Sequence, residues 1–246
     1  MKKDYRPYWV KRMYLIFRHW YVENYLQPNF TSLGDYGTFM RPWNIKVSGD
    51  NISIGRCATI VAEPDRFVSI GIWAMAEGEG EINIGDYVMI SPGVRISAAE
   101  SITIGDSCMI ANGAYITDSD WHGIYDRVGR DQASRPVVIS DNVWIGDHAT
   151  ILKGVNIGEN SIVAAGAVVS KDVAANTVVA GNPAVKVRDL DPHKIIKTRA
   201  DFFADPIRLQ QQFDDLDRAV LQGNNFLSWL LILLWPKLSK KQDDKT

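Results

Sequence analysis

Aliphatic residues return at every sixth position along the stretch from Val137 to Pro183. Ile139, Ile145, Ile151, Ile157, Val163 and Val169 each open a hexad, and four residues after each stands Val143, Ala149, Val155, Ser161, Ala167 or Val173. A period of six matches neither the helical repeat nor the alternation of an ordinary strand. It is an internal repeat, and short fixed periods predict a β-solenoid. Three hexads make one coil of eighteen residues, with a short strand on each face and a turn at each corner. The aliphatic points into the prism and the small residue fits the crowded corner. Hydrogen bonds between stacked coils satisfy the backbone as in a parallel sheet.

The same phase recurs upstream. Ile52-Ser53-Ile54-Gly55, Ile82-Asn83-Ile84-Gly85, Ile102-Thr103-Ile104-Gly105 and Val137-Val138-Ile139-Ser140 read as equivalent coil starts. Their spacings are 30, 20 and 35 residues, then 18 from Ile139 to Ile157, which leaves insertions of 12, 2 and 17 residues. The first falls within 61–81 and the third within 118–136. The predicted class is mainly β, a parallel β-helix with helices at both ends. It divides into an aromatic helix and entry segment over 1–49, the β-helix over 50–190, and C-terminal helices with a hydrophobic tail over 191–246.

The ends have a different pattern. Residues 5–27 read as a helix dense in aromatics (Tyr8, Trp9, Tyr14, Phe17, Trp20, Tyr21, Tyr25) interleaved with Lys11, Arg12, Arg18 and Glu23. Pro7 suits its first turn and Pro28 its end. Such a helix either covers the open end of the solenoid or lies in a membrane interface. Residues 191–222 are helical in pattern, with a second helix starting at Asp205-Pro206. The run Phe226–Trp235 is too short to span a bilayer, yet its tryptophans and the following Lys237, Lys240 and Lys241 suit a membrane interface through 226–241. Packing on the aromatic helix or on a second subunit is the alternative.

Composition narrows the function classes. At 246 residues and 46% hydrophobic content the chain can bury a sizeable core. A net charge of −2 gives no electrostatic case for a nucleic-acid partner. Cys57 and Cys108 sit in separate hexads without metal or redox spacing, as reduced core thiols would. The start Met1-Lys2-Lys3-Asp4 leads into a segment interrupted by charges, so no signal peptide is read and a cytoplasmic location is expected.

Hexads of the form aliphatic-Gly-x-x-small-x resemble those of the left-handed parallel β-helix, or hexapeptide-repeat, acyltransferases. The likeness covers roughly residues 50–190 and is greatest to the maltose and galactoside O-acetyltransferase branch. It is carried by Asn142-Val143-Trp144-Ile145-Gly146, Gly154-Val155-Asn156-Ile157-Gly158, Ser170-Lys171-Asp172 and Ala180-Gly181-Asn182-Pro183. The left-handed sense comes from this resemblance, since crossovers otherwise favour the right hand. The resemblance implies a homotrimer, acetyl-CoA as co-substrate, and direct attack of an acceptor on the thioester within a ternary complex.

The insertion at 118–136 carries Asp118-Ser119-Asp120-Trp121-His122-Gly123. The resembled enzymes place a catalytic histidine here, and a one-residue shift brings His122 onto it. A sugar hydroxyl must lose its proton as it attacks a thioester, and an imidazole can accept it near neutral pH. Asp118, Asp120 or a backbone carbonyl would fix its tautomer. By the same resemblance Ala165, Ser170, Lys171 and Arg188 hold CoA. Lys186 joins Lys171 and Arg188 as a partner for the phosphates. Trp144 either lines the cleft or packs against a subunit. His19, His148 and His193 have weaker placements. No close His pair offers the three protein ligands of a catalytic zinc, so no metal is expected. The acceptor indicated is a hydroxyl of a saccharide, free or lipid-linked. An amine acceptor, a longer acyl donor and a non-catalytic scaffold are the rival readings.

Overall fold

The computed structural model describes residues 4–73, 79–128 and 133–235. They group into two compact units, one from residues 21–204 and the other from the first twenty residues together with 205 onward.

In the larger unit the hexads become a left-handed parallel β-helix with three faces. Sheet A stacks Ser32–Leu33, Ile52–Ile54, Glu81–Ile84, Ser101–Ile104, Val137–Ile139 and Asn156–Ile157. Sheet B stacks Thr38–Met40, Thr59–Val61, Met89–Ile90, Met109–Ile110, Trp144–Ile145, Ile162–Val163 and Thr177–Ala180, and is closed by antiparallel Val185–Asp189. Sheet C stacks Ile45–Ser48, Val68–Ile72, Arg95–Ala98, Tyr115–Thr117, Thr150–Ile151 and Val168–Val169. The register puts like on like. Ile60, Ile90, Ile110, Ile145, Val163 and Val179 stack in sheet B, and Ile70, Ile96, Ile116, Ile151 and Val169 in sheet C. All are buried. Each buried aliphatic side chain contributes about 1.5–3 kcal/mol, so the prism is held by a continuous apolar axis.

The corner between sheets A and B explains the Ile-Gly-Asp triplets. The Asp86 carboxylate accepts the Arg56 backbone N–H at 2.9 Å, Asp106 that of Asp86 at 2.7 Å, and Asp141 that of Asp106 at 2.8 Å. Each carboxylate lies over the glycine of the coil before it. A Cβ on Gly105 would stand 2.3 Å from Asp141 Oδ1 and 2.7 Å from its backbone nitrogen. Close approach therefore requires glycine here. The next corner residue takes the left-handed conformation, where asparagine is favoured: Asn142, Asn160 and Asn176 have φ of 55°, 58° or 59°. Their amides form a ladder of two 2.9 Å hydrogen bonds.

The coils begin earlier than residue 50, because Ser32–Leu33, Thr38–Met40 and Ile45–Ser48 already form a full turn in register with the next. Within the first insertion a short loop over 62–67 leads into Val68–Ile72, and residues 74–78 lie outside the described residues. The aromatic helix is α1, Tyr8–Tyr21, followed by a π turn over Val22–Leu26 and a 3-10 turn over Gln27–Asn29. Val22, Leu26 and Phe30 join the solenoid core, so the cover on the first coil comes from residues after α1. After the last coil, residues 191–198 are not helical; α2 is Arg199–Phe202, and α3 starts at Pro206 and runs to Val220. α2 docks on sheet B, where Arg199 donates to Tyr87 O at 2.5 Å and to Thr59 Oγ1 at 2.8 Å.

In the smaller unit α1 packs on α3 by charge. Tyr8 donates to Asp214 at 2.6 Å, Lys11 pairs with Asp217, and the Arg218 guanidinium lies 4.7 Å from the Tyr8 ring centroid. A last helix, α4, spans Phe226–Leu234, and its Phe226 stacks on Trp9 at 5.7 Å.

Candidate functional site

The third insertion leaves the corner between sheets C and A after Thr117 and returns at Val137. Its root is fixed by a buried carboxylate. Asp118 is fully buried, and its oxygens accept the backbone N–H groups of Ala99, Glu100 and Ser101 at 2.7, 2.8 and 2.8 Å. Burial pushes its pKa above the ordinary aspartate value, with the three donors pulling the other way. Ser119 bridges Ser134 to close the neck of the loop, and Arg135 N–H donates to Asp118 O at 2.8 Å. Lys153, from the next coil, donates to Asp120 at 2.5 Å and to Ala133 O at 2.6 Å.

Beyond this root the chain turns sharply at Trp121, whose φ is 65°. The Trp121 indole N–H donates to the Tyr115 hydroxyl at 3.2 Å, which pins the turn to the outer face of sheet C. Tyr115 in turn lies beneath Arg95, with the guanidinium 5.2 Å from its ring centroid. His122 follows and is exposed, and no described residue hydrogen-bonds its ring. The arrangement presents an accessible imidazole on an anchored turn, beside an aromatic and cationic surface.

The two carboxylates expected to orient His122 do something else. Asp118 is spent on three backbone amides and Asp120 on Lys153, so both hold the loop and neither reaches the imidazole. Tyr115, Arg95 and Lys153 were not expected at this site. Tyr115 and Arg95 pair across coils at outward positions of their strands, and that alternation is the only signal in the sequence that could have found them.

The residues expected to hold CoA lie at several separate places on the prism. Ser170 and Lys171 are exposed at the same corner as the root of the His122 loop, two coils further on, about 10 Å at the usual strand spacing. Trp144 and Ala165 lie elsewhere. Trp144 is on the outer face of sheet B, 47% exposed, between Met109 and Ile162. Ala165 is at the corner between sheets B and C, against Gly146. Lys186 and Arg188 both lie on the closing strand of sheet B. A bulge sets Lys186 opposite the buried Val179 and Arg188 opposite the outward Val178, so they stand on different faces of the closing hairpin. Lys186 is also paired to Asp189 at 2.7 Å. Among the described residues no group of three His, Cys, Asp or Glu side chains could hold a metal ion.

Stacked hexad coils with one anchored, histidine-bearing loop define a β-helix of the hexapeptide-repeat class. A family model described as bacterial transferase hexapeptide matches residues 136–171, and one described as hexapeptide repeat of succinyl-transferase matches residues 82–118. The chain belongs to the hexapeptide-repeat transferase family. It is 36% identical over 126 residues to the putative lipopolysaccharide biosynthesis O-acetyl transferase WbbJ of Escherichia coli (strain K12), covering 47% of this chain and 64% of that protein. It is 34% identical over 139 residues to a putative acetyltransferase of Saccharomyces cerevisiae, covering 56% and 67%. A crystal structure of a hexapeptide-repeat-containing acetyltransferase from Vibrio cholerae shares 26% identity with a TM-score of 0.45, covering 67% of this chain and 77% of that one. The chain thus spans a little under two thirds of WbbJ.

Proposed function

We propose that the protein is an acetyl-CoA-dependent O-acetyltransferase whose acceptor is a hydroxyl of a saccharide, free or lipid-linked. The observation that carries this reading is the His122 turn, exposed at its tip and fixed at its root by Asp118, Lys153 and the Trp121–Tyr115 contact. An imidazole held there and open to an acceptor acts as general base. It takes the hydroxyl proton as the oxygen attacks the thioester carbonyl, and the CoA thiolate leaves. With Asp118 and Asp120 engaged elsewhere, a backbone carbonyl or the acceptor itself sets the tautomer. The names of the relatives, O-acetyl transferase and acetyltransferase, support the reaction class.

The protein works as a homotrimer. Its candidate residues lie apart on one prism, the His122 loop with Ser170 and Lys171 at the corner between sheets C and A, Trp144 on the face of sheet B and Ala165 at the corner between sheets B and C. A neighbouring copy brings these places together. The outer column of sheet B beyond α2, with Met109, Trp144 and Ile162 in register, supplies apolar surface for such packing. Ala165 lines the pantetheine arm, and Ser170, Lys171 and Arg188 meet the phosphates. The trimer sits in the cytoplasm, peripheral to the inner face of the membrane.

Titration calorimetry with CoA and acetyl-CoA tests the cofactor without knowledge of the acceptor. Micromolar binding that weakens at least tenfold in a Lys171→Ala, Arg188→Ala double variant is expected. An acceptor screen by thiol release then follows, with His122→Ala losing about 10²–10⁴-fold in turnover and keeping its CoA affinity. No CoA binding at millimolar concentration refutes the acyltransferase reading.

A further inference from the structure

We propose that the outer side of α1 and the whole of α4 form one surface that binds anionic lipid headgroups. It deepens the peripheral location proposed above and is independent of acetyl transfer.

The surface begins with spacing. Trp9, Met13, Ile16, Phe17 and Trp20 fall four, three, one and three residues apart, which places them in one stripe of a helix. All are between 45% and 62% exposed. The opposite side of α1 is committed to α3 through Tyr8 and Lys11, so the stripe is what the smaller unit turns outward. α4 extends it, because Phe226 stacks on Trp9 and Trp229 lies 5.6 Å from Phe226.

α4 itself argues for lipid over a protein partner. Its nine residues FLSWLLILL carry no charge, and its exposed side chains point in more than one direction: Leu227, Leu231 and Leu234 to one side, Phe226 and Leu233 to another. A helix docked in a protein groove needs one apolar face, whereas a helix immersed at an acyl boundary is wetted by lipid on most sides. At about 1.5 Å per residue it is about 14 Å long, against about 30 Å for a bilayer core, so it enters without crossing. Among the described residues no helix is long and apolar enough to cross a membrane.

Charge selects the lipid. α1 has no acidic residue; its Lys11 and Arg12 pair with Asp217 and Asp214 of α3, and Arg18 and His19 stand in its last turn. The sequence after α4 continues with Lys237, Lys240 and Lys241, which lie outside the described residues. α3 has an exposed apolar row of its own (Phe213, Leu216, Val220), but it carries more acid than base, Asp214, Asp215 and Asp217 against Arg208 and Arg218, and its Asp214 and Asp217 are already paired with α1. The membrane-facing side is therefore α1 and α4.

The experiment is vesicle co-sedimentation of the full chain with phosphatidylcholine alone and with phosphatidylcholine containing about one third phosphatidylglycerol. Binding to the anionic vesicles that exceeds binding to neutral ones at least tenfold, and falls with salt, is expected. Ile16→Glu with Phe17→Glu, and separately Leu231→Glu with Leu234→Glu, should each weaken it tenfold or more while CoA affinity is retained. Quenching of the wild-type tryptophans by brominated acyl chains gives a readout that needs no variant. Wild-type protein left in the supernatant with unquenched tryptophans overturns the proposal. So does a charge substitution that changes the sedimenting mass without lipid, which assigns the stripe to a second copy. CoA binding that survives either result leaves the acyltransferase reading standing.

Discussion

Replacing Asp118 should loosen the whole loop root, and its cost can be worked from three distances. The carboxylate accepts N–H groups of Ala99, Glu100 and Ser101 at 2.7–2.8 Å from a position with no solvent access. Hydrogen bonds to a charged group are worth about 1.5–3 kcal/mol each, and a buried amide left without a partner costs about 1–3 kcal/mol. Asp118→Asn can keep its oxygen on Glu100 and Ser101, but then its NH₂ faces the Ala99 N–H, donor against donor. The loss is about 2–3 kcal/mol, reduced by the relief of no longer burying a charge. Asp118→Ala leaves all three amides bare and should lose about 3–5 kcal/mol. For a chain of this length each kcal/mol lowers Tm by about 2–4 °C, so Asn should melt about 4–12 °C lower and Ala lower still. Scanning calorimetry reads this directly. If Asp118 instead served only to orient His122, both variants would melt with the wild type and differ only in turnover, and that result would refute the structural role.

Three further outcomes follow from packing and burial. Gly105→Ala should destabilise by about 1–3 kcal/mol or prevent folding, because the backbone nitrogen of Asp141 cannot yield to a Cβ at 2.7 Å; a urea midpoint equal to wild type would exclude this reading of the glycine. Lys153→Met removes both ties to the loop and should raise the rate of proteolytic cleavage within residues 119–135, with little change in the far-ultraviolet circular dichroism. The Cys108 thiol is pushed up to about 12 by burial in the prism. The native state therefore holds its proton more tightly than the unfolded chain. The resulting stability is complete below the ordinary thiol pKa of 9.0 and is lost as pH climbs toward 12. Disulfide-exchange reagents at pH 8 should leave Cys108 unlabelled until denaturant is added.

The sequence by itself determined the prism. A residue pattern of period six admits one way of burying every aliphatic, and in-register stacking of Ile on Ile follows from equal coil lengths. It also marked the insertion that carries His122, because an interruption of 17 residues in a regular repeat stands out. What each carboxylate near that histidine does was decided by tertiary structure. The partners of Asp118 are backbone amides 17 to 19 residues earlier, brought beneath it by the stacking of coils. Proximity in sequence suggested His122, while proximity across coils gave Asp118 to the scaffold. The same holds for Lys186 and Arg188, two residues apart but set on opposite faces by a bulge that has no sequence signature. The two ends of the chain came together through a salt-bridged contact between Lys11 and Asp217, more than two hundred residues apart. Local pattern fixes which side chains are buried in a coil; which polar groups meet depends on where separate coils and helices come to rest.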